Sequence, residues 1–301
     1  MNFIKEKKAI WMPFLLLLFI ALIYVRAYGG NGPGPGHRIE GGGDDSSVIE
    51  FSDDLPWDGD ASFEAAKTDY ETPLLLAKFE FTLIDPLPGE LHNVKLAVSE
   101  LKGAVLQPGE IFSQNTLLGP YTKEKGYQKG LMFFGTQIRE ATGGGVCKVA
   151  TLLYNIACLV NLQIIERHNH SMPVLYVPFG QDATVAYGHK DLRFKNNTDE
   201  TLLIWADVVG ETPLIAIYGK TAPPKVSWEH YLSQESLFQK IYLEDSNLPR
   251  GTEKLFNQGI NGCVVESKLV IEHHDGSSTE KPMGKSRYNP MPEIILRGTG
   301  E

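Results

Sequence analysis

A chain of 301 residues, 42% hydrophobic and 22% charged, is long enough to bury one good core and a second, smaller one. Its 28 basic and 37 acidic residues leave a net charge of −9 with no basic stripe, which argues against nucleic acid as a partner. Three cysteines, Cys147, Cys158 and Cys263, are too few for a disulfide scaffold.

Lys5, Lys7 and Lys8 precede the apolar run Ala9 to Val25. Lysines before the run and few after it predict a cytoplasmic N-terminus and a membrane anchor over residues 1–27. A cleaved signal peptide is the alternative, because Val25-Arg26-Ala27 presents small residues at the positions a signal peptidase reads. Either way the body is expected outside the membrane. Residues 28–73 read as a flexible acidic linker, rich in Gly and Pro at first, whose later part from Val48 to Pro73, dotted with Phe51, Trp57, Phe63 and Tyr70, is either loosely packed or draped over the domain.

The core domain is expected over 74–220. Alternation at Leu75, Ala77, Phe79 and Phe81 predicts a strand, and Val94, Ala97, Val98 and Leu101 predict a helix over Asn93 to Lys102 that Gly103 stops. Val149, Leu152, Leu153, Ile156, Ala157 and Val160 follow three-four spacing, so Cys147 is placed at the start of a helix with a buried face. Strands are predicted over Leu162–Glu166, Val174–Val177, Ala183–Tyr187, Leu192–Lys195 and Leu202–Val209, with a hairpin turn at Asn196-Asn197. Ala222-Pro223-Pro224 marks a boundary, after which residues 221–301 read as a small β-rich module closed by a hairpin, Cys263–His273 and Pro282–Leu296 around Asp275-Gly276. The fold class is α+β: a mixed domain with a cysteine-bearing helix packed on strands, plus a small all-β appendage.

The chemistry concentrates in one segment. Gly143, Gly144 and Gly145 can bare successive backbone N–H groups, and Cys147 just after them sits where a helix N-terminus favours the thiolate. His168 and His170 share a face of an extended segment downstream, and one of them can serve as the base for Cys147, His170 being preferred because Ser171 and Pro173 suggest a turn that fixes its direction. Asp182 is placed to orient a histidine or to cap the turn after Gly180. Arg167 is a candidate for gripping a substrate carboxylate, and Lys148 and Ser171 flank the same region. A zinc site built from Cys147, His168 and His170 is a third-ranked alternative, and no cofactor is expected.

Several runs resemble the VanW domain: Lys102-Gly103 leading to Pro108-Gly109-Glu110 and Phe112, then Gly119-Pro120, Gly126-Tyr127, Gly143 to Cys147, Leu153-Tyr154-Asn155, Glu166 to Ser171, Tyr176-Val177-Pro178 and Asp182 to Val185. They stand in family order from Leu74 to Gly219. Gly262, Asp275-Gly276 and Tyr288-Asn289-Pro290 resemble the small G5-like β module that often follows such domains. The resemblance implies an envelope protein of a Gram-positive-type bacterium, a family named from glycopeptide-resistance clusters. Some of its members are L,D-transpeptidases that cross-link peptidoglycan stem peptides through the cysteine matched here by Cys147. The chain departs from the pattern at Lys148, where Gln is usual, and at Ala150-Thr151-Leu152, where Ser-Thr-Thr is usual. The reading is therefore a membrane-tethered cysteine acyltransferase of the wall, with a non-catalytic module binding peptidoglycan or a partner protein as the alternative.

Overall fold

A computed structural model describes residues 38–39, 55–134 and 137–300. The expected membrane anchor and most of the Gly/Pro-rich tether lie outside the described residues. Among those described, no helix is long and apolar enough to cross a membrane.

The structure is α+β with strands in the majority. The helix carrying the cysteine, α4 (Val146–Leu159), runs through the middle of the core. Its apolar residues recur at three-four spacing and extend round most of its surface, so Val146 and every residue from Val149 to Cys158 are buried. Asn161 closes it in the left-handed conformation at φ 56°, and the Leu162 N–H reaches back to the Ala157 carbonyl at 2.8 Å, as in a Schellman closure. A second helix, α2 (Pro88–Leu101), packs beside it. α2 begins five residues before the predicted Asn93 because Pro88 fits the first helical position, where its missing N–H costs nothing.

Both helices lie on an antiparallel sheet in which β2 (Leu74–Glu80), β10 (Thr212–Gly219), β9 (Leu202–Val209) and β3 (Ala104–Leu106) follow one another. A second small sheet orders β4 (Ile111–Ser113), β8 (Arg193–Lys195) and β7 (Gln163–Glu166), and the short helix α3 (Gln114–Leu118) follows β4. β5 (Lys129–Phe134) and β6 (Gln137–Thr142) form a hairpin leading into the glycine loop before α4.

The predicted flexible linker does not extend to residue 73. Helix α1 (Ala61–Asp69) starts at Asp60, whose Oδ1 accepts the Ser62 N–H at 2.8 Å and caps the helix. Trp57 and Phe63 are each only 1% exposed and fill a second core with Trp205 and Tyr218 from β9 and β10. The acidic composition of this segment reflects its solvent face, while Trp57 and Phe63 supply the buried one.

Two predicted strands are absent. The segment 174–177 is irregular because Pro173 and Pro178 bracket it and remove ladder donors. Residues 183–185 are irregular because side chains take most of their backbone groups: Ala183 N–H goes to Thr151 Oγ1 at 3.0 Å and Val185 N–H to Cys147 Sγ at 3.4 Å. Asn196-Asn197 is not a hairpin turn either. β8 and β9 lie in different sheets, and the Asn196 side-chain amide ties the crossing by donating to Leu106 O and Glu200 O.

The C-terminal part is more closely joined to the core than the expected appendage. β11 (Lys225–Ser236), β14 (Gly262–Glu272) and β15 (Ser278–Tyr288) form an antiparallel sheet, with β1 (Arg38–Ile39) on the free edge of β11. Leu269 and Ile271 of β14 share the buried cluster of α4, and Val226, Trp228 and Met283 pack against it. The predicted closing hairpin ends at Tyr288. β16 (Glu293–Gly300) belongs instead to a separate three-stranded sheet, between β12 (Lys240–Pro249) and β13 (Glu253–Asn257).

Candidate functional site

The glycine loop sets the position of Cys147. Gly145 is the N-cap of α4 at φ +106°, a conformation that L side chains rarely adopt. Gly144 lies so close to Gly130 of β5 that a Cβ would fall 2.2 Å from that residue's carbonyl carbon. Asn93 of α2 locks the approach by donating to Gln128 O at 2.8 Å and Gly144 O at 2.9 Å. Close packing is therefore the first role of these glycines. The Gly143 and Gly144 N–H groups are already bonded, to Gln128 O and Ala141 O, so the expected row of bare donors is not there. At the start of α4 the Val146 N–H bonds Gly143 O at 3.3 Å and the Lys148 N–H bonds Gly145 O at 2.9 Å, which leaves the N–H of Cys147 itself as the backbone donor of the first turn.

Cys147 is partly buried, and its Sγ lies 3.3 Å from Thr184 Oγ1 and 3.4 Å from the Val185 amide nitrogen. His170 is hydrogen-bonded to the same thiol. The Nδ1 of His170 is 2.7 Å from Asp182 Oδ2, and the His170 backbone N–H donates to that same oxygen at 2.7 Å. With Nδ1 turned to the carboxylate, Nε2 is the ring nitrogen left for the sulfur. Thiol, imidazole and carboxylate form a relay of the kind that activates a nucleophile through an oriented base.

The charges follow from this geometry. Burial pushes the Cys147 thiol up, but the His170 hydrogen bond and charge, the Thr184 hydroxyl and the Val185 N–H outweigh it, and its pKa falls below the ordinary thiol value. Burial alone would lower His170, yet Asp182 and Cys147 push it up to about 9. Asp182 is held below the usual carboxylate range against its own burial by His170 and Arg167. Cys158 and Cys263 behave in the opposite way, each pushed up to about 12 by burial. Of the three thiols, Cys147 alone is shifted toward the thiolate form.

The two histidines separate. His168 turns away to Glu166, 3.0 Å from its Oε1, and is not part of the relay. Arg167 is not free to grip a substrate: its guanidinium donates to Asp182 Oδ1 at 3.0 Å, Gly180 O at 3.2 Å and Ser286 Oγ at 2.7 Å, and Nε donates to Asp182 O at 2.7 Å. Ser171 offers its carbonyl to the Asn289 N–H at 2.7 Å. Lys148 forms an ion pair with the buried Glu90, and its ammonium lies 5.7 Å from the centre of the Tyr176 ring. Glu90 and Tyr176, rather than the thiol, thus receive the charge of Lys148. Among the described residues no group of three or more His, Cys, Asp and Glu side chains is arranged to hold a metal ion, and His168 points away from such a set.

Residues not singled out in the sequence complete the arrangement. Thr151, one turn along α4 from Cys147, accepts the Ala183 N–H and places its hydroxyl 3.2 Å from Ala183 O and 3.0 Å from Cys147 O. Asn155, a turn further, donates to Gln181 O at 2.8 Å. Together they fasten residues 181–185 along α4, which delivers Thr184 and Val185 to the sulfur. Ala150 and Leu152, where the family pattern has hydroxyls, are fully buried in the core and away from this contact.

Residues 89–218 match the family model described as VanW like protein. The chain is a VanW-family protein. It is 37% identical over 127 residues to the protein YoaR of Bacillus subtilis (strain 168), covering 42% of this chain and 42% of that protein. Over 192 residues it is 31% identical to the vancomycin B-type resistance protein VanW of Enterococcus faecalis (strain ATCC 700802 / V583), covering 60% of this chain and 66% of that one. The VanW-family chain therefore spans less than half of the first relative and about two thirds of the second. Among solved structures, the G5 domain of an IgA1 protease aligns at 22% identity and a TM-score of 0.18, covering 26% of this chain and 94% of that one. The G5 domain of HP0197 aligns at 16% identity and a TM-score of 0.15, covering 25% and 99%.

Proposed function

We propose that this VanW-family protein is a cysteine acyltransferase of the cell envelope, acting on peptidoglycan stem peptides in the manner of an L,D-transpeptidase. The observation that carries the reading is the Cys147–His170–Asp182 relay, in which Asp182 Oδ2 holds both the backbone N–H and Nδ1 of His170 and leaves the other ring nitrogen for the thiol. The Cys147 thiolate attacks the carbonyl carbon that precedes the terminal D-residue of a stem tetrapeptide. The oxyanion is received at the start of α4, with the Cys147 backbone N–H as donor. His170 gives its proton to the departing amine, the C–N bond breaks, and a thioester remains on Cys147. The amine of a neighbouring stem then attacks the thioester, His170 takes the proton that amine loses, and the thiolate is restored.

The departures from the family pattern are compatible with this chemistry. Lys148 is neutralised by Glu90 beside the site, and Ala150 lies in the core, so neither interrupts the relay. An N-terminal membrane anchor, with the body on the extracytoplasmic face, places the site where such substrates are found. The test is formation of cross-linked dimers from purified disaccharide-tetrapeptide by wild-type protein and by Cys147→Ala. Dimers from the wild type alone support the reading. Binding of wall fragments by both proteins, with no dimer from either, favours a non-catalytic envelope module.

A further inference from the structure

The C-terminal sheet reaches the relay directly. Ser286 and Tyr288 lie two apart on β15, so they share a face, and both are only 2% exposed while Arg287 between them points to solvent. The Tyr288 hydroxyl donates to Asp182 Oδ1 at 2.5 Å and accepts the Gly180 N–H at 2.8 Å. Ser286 Oγ accepts from Arg167 Nη1 at 2.7 Å. Two further bonds lay the end of β15 across the loop that carries His170: Asn289 N–H to Ser171 O at 2.7 Å and Asn169 Nδ2 to Arg287 O at 2.8 Å.

These contacts divide the two oxygens of Asp182. Oδ1 is held by Tyr288 and Arg167, and Oδ2 is thereby turned to the backbone N–H and Nδ1 of His170. Without the phenol, Oδ1 keeps a single side-chain partner, Arg167 Nη2 at 3.0 Å, and the buried Gly180 N–H loses its acceptor. We propose that Tyr288, supported by Ser286, is a positioning residue for the relay, so that the C-terminal sheet completes the reactive site. The assignment rests on the reading of Cys147, His170 and Asp182 as that relay. It makes the C-terminal strands a required part of the machinery, with no contact to the reacting atoms themselves.

The test uses the full chain and a readout that needs no substrate. Cys147 is alkylated with iodoacetamide from pH 5 to pH 10 and followed by peptide mass, in wild type, Tyr288→Phe and Ser286→Ala, alongside urea unfolding of each. Phenylalanine keeps the ring that packs on Phe179, so a folded variant is expected. Its alkylation at pH 7 is expected to slow by roughly tenfold or more, the scale of losing one charge-assisted hydrogen bond, and its pH profile to move upward. A merely structural role lowers the urea midpoint and leaves that profile in place. A folded Tyr288→Phe with the wild-type profile overturns the proposal. If that variant does not fold, Ser286→Ala decides in the same way, an upward-shifted profile supporting the proposal and an unchanged one overturning it. Wild type that shows the low-pH thiolate and the Tyr288 shift, but releases no D-alanine from tetrapeptide, sinks the substrate reading and leaves this one standing.

Discussion

Thr151→Val is the sharpest test of how the site is held. Valine matches threonine in shape, so packing is preserved and only the hydroxyl is lost. In the folded protein that hydroxyl accepts the buried Ala183 N–H at 3.0 Å and lies within 3.2 Å of the Ala183 and Cys147 carbonyls. An orphaned buried donor costs about 1–3 kcal/mol, and the weakened carbonyl contacts add about 1 kcal/mol. A total loss of about 2–4 kcal/mol corresponds to roughly 5–12 °C in Tm for a domain of this size. The same change frees residues 183–185, which bring Thr184 and the Val185 N–H to the sulfur, so alkylation of Cys147 at pH 7 should slow along with the loss of stability. Thermal unfolding and iodoacetamide kinetics measure both effects, and Thr151→Ser, which keeps the hydroxyl, should restore most of each. A Thr151→Val protein within about 0.5 kcal/mol of wild type, alkylated at the wild-type rate, would refute the reasoning.

Three further predictions follow from the same geometry. His170 keeps its proton up to about 9, above its ordinary value, so its stabilising charge is fully present below that ordinary value and is lost as pH rises through about 9. Acyl transfer should fall over the same upper interval and also in acid, where Cys147 regains its proton; a decline already complete near pH 7 in a pH–rate profile contradicts the pairing. Trp57→Ala empties the second core and strips Tyr218 of its 2.8 Å indole donor, for an expected loss of about 3–5 kcal/mol by urea unfolding. A cost under about 1 kcal/mol would mean that this segment does not belong to the fold. Gly144→Ala drives a Cβ into the Gly130 backbone, so it should lower the Tm and slow Cys147 alkylation together, and a variant with neither effect would show that the loop has room.

Much of this site was legible in the chain because its parts lie close together in sequence. The three-four spacing from Val149 to Val160 predicts α4, with Cys147 in its first turn and His170 eleven residues beyond its end. Between the two histidines the turn suggested by Ser171 and Pro173 favours His170 in the sequence, whereas their different partners, Asp182 for His170 and Glu166 for His168, are visible only in the structure. Arg167 was misread as a substrate contact because a sequence does not reveal a buried carboxylate waiting for a guanidinium. The strand patterns at 174–177 and 183–187 misled for a physical reason: apolar alternation also arises where residues drop into a core one by one while side chains such as Thr151 take the backbone donors. Tyr288 stands out in the chain only as part of the Tyr288-Asn289-Pro290 run, and nothing local ties it to Asp182, 106 residues away. The helix at Ala61–Asp69 was hidden by acidic composition, although Asp60 ahead of Ser62 and Phe63 is a capping signal that the sequence does contain.

The most direct measurement is the mass of the protein after brief incubation with disaccharide-tetrapeptide, for wild type and Cys147→Ala. The account predicts a stem-peptide thioester mapped to Cys147, with D-alanine released in equal amount, and neither product from the variant. A folded wild-type protein with an alkylatable Cys147 that forms no adduct and releases no D-alanine would contradict it.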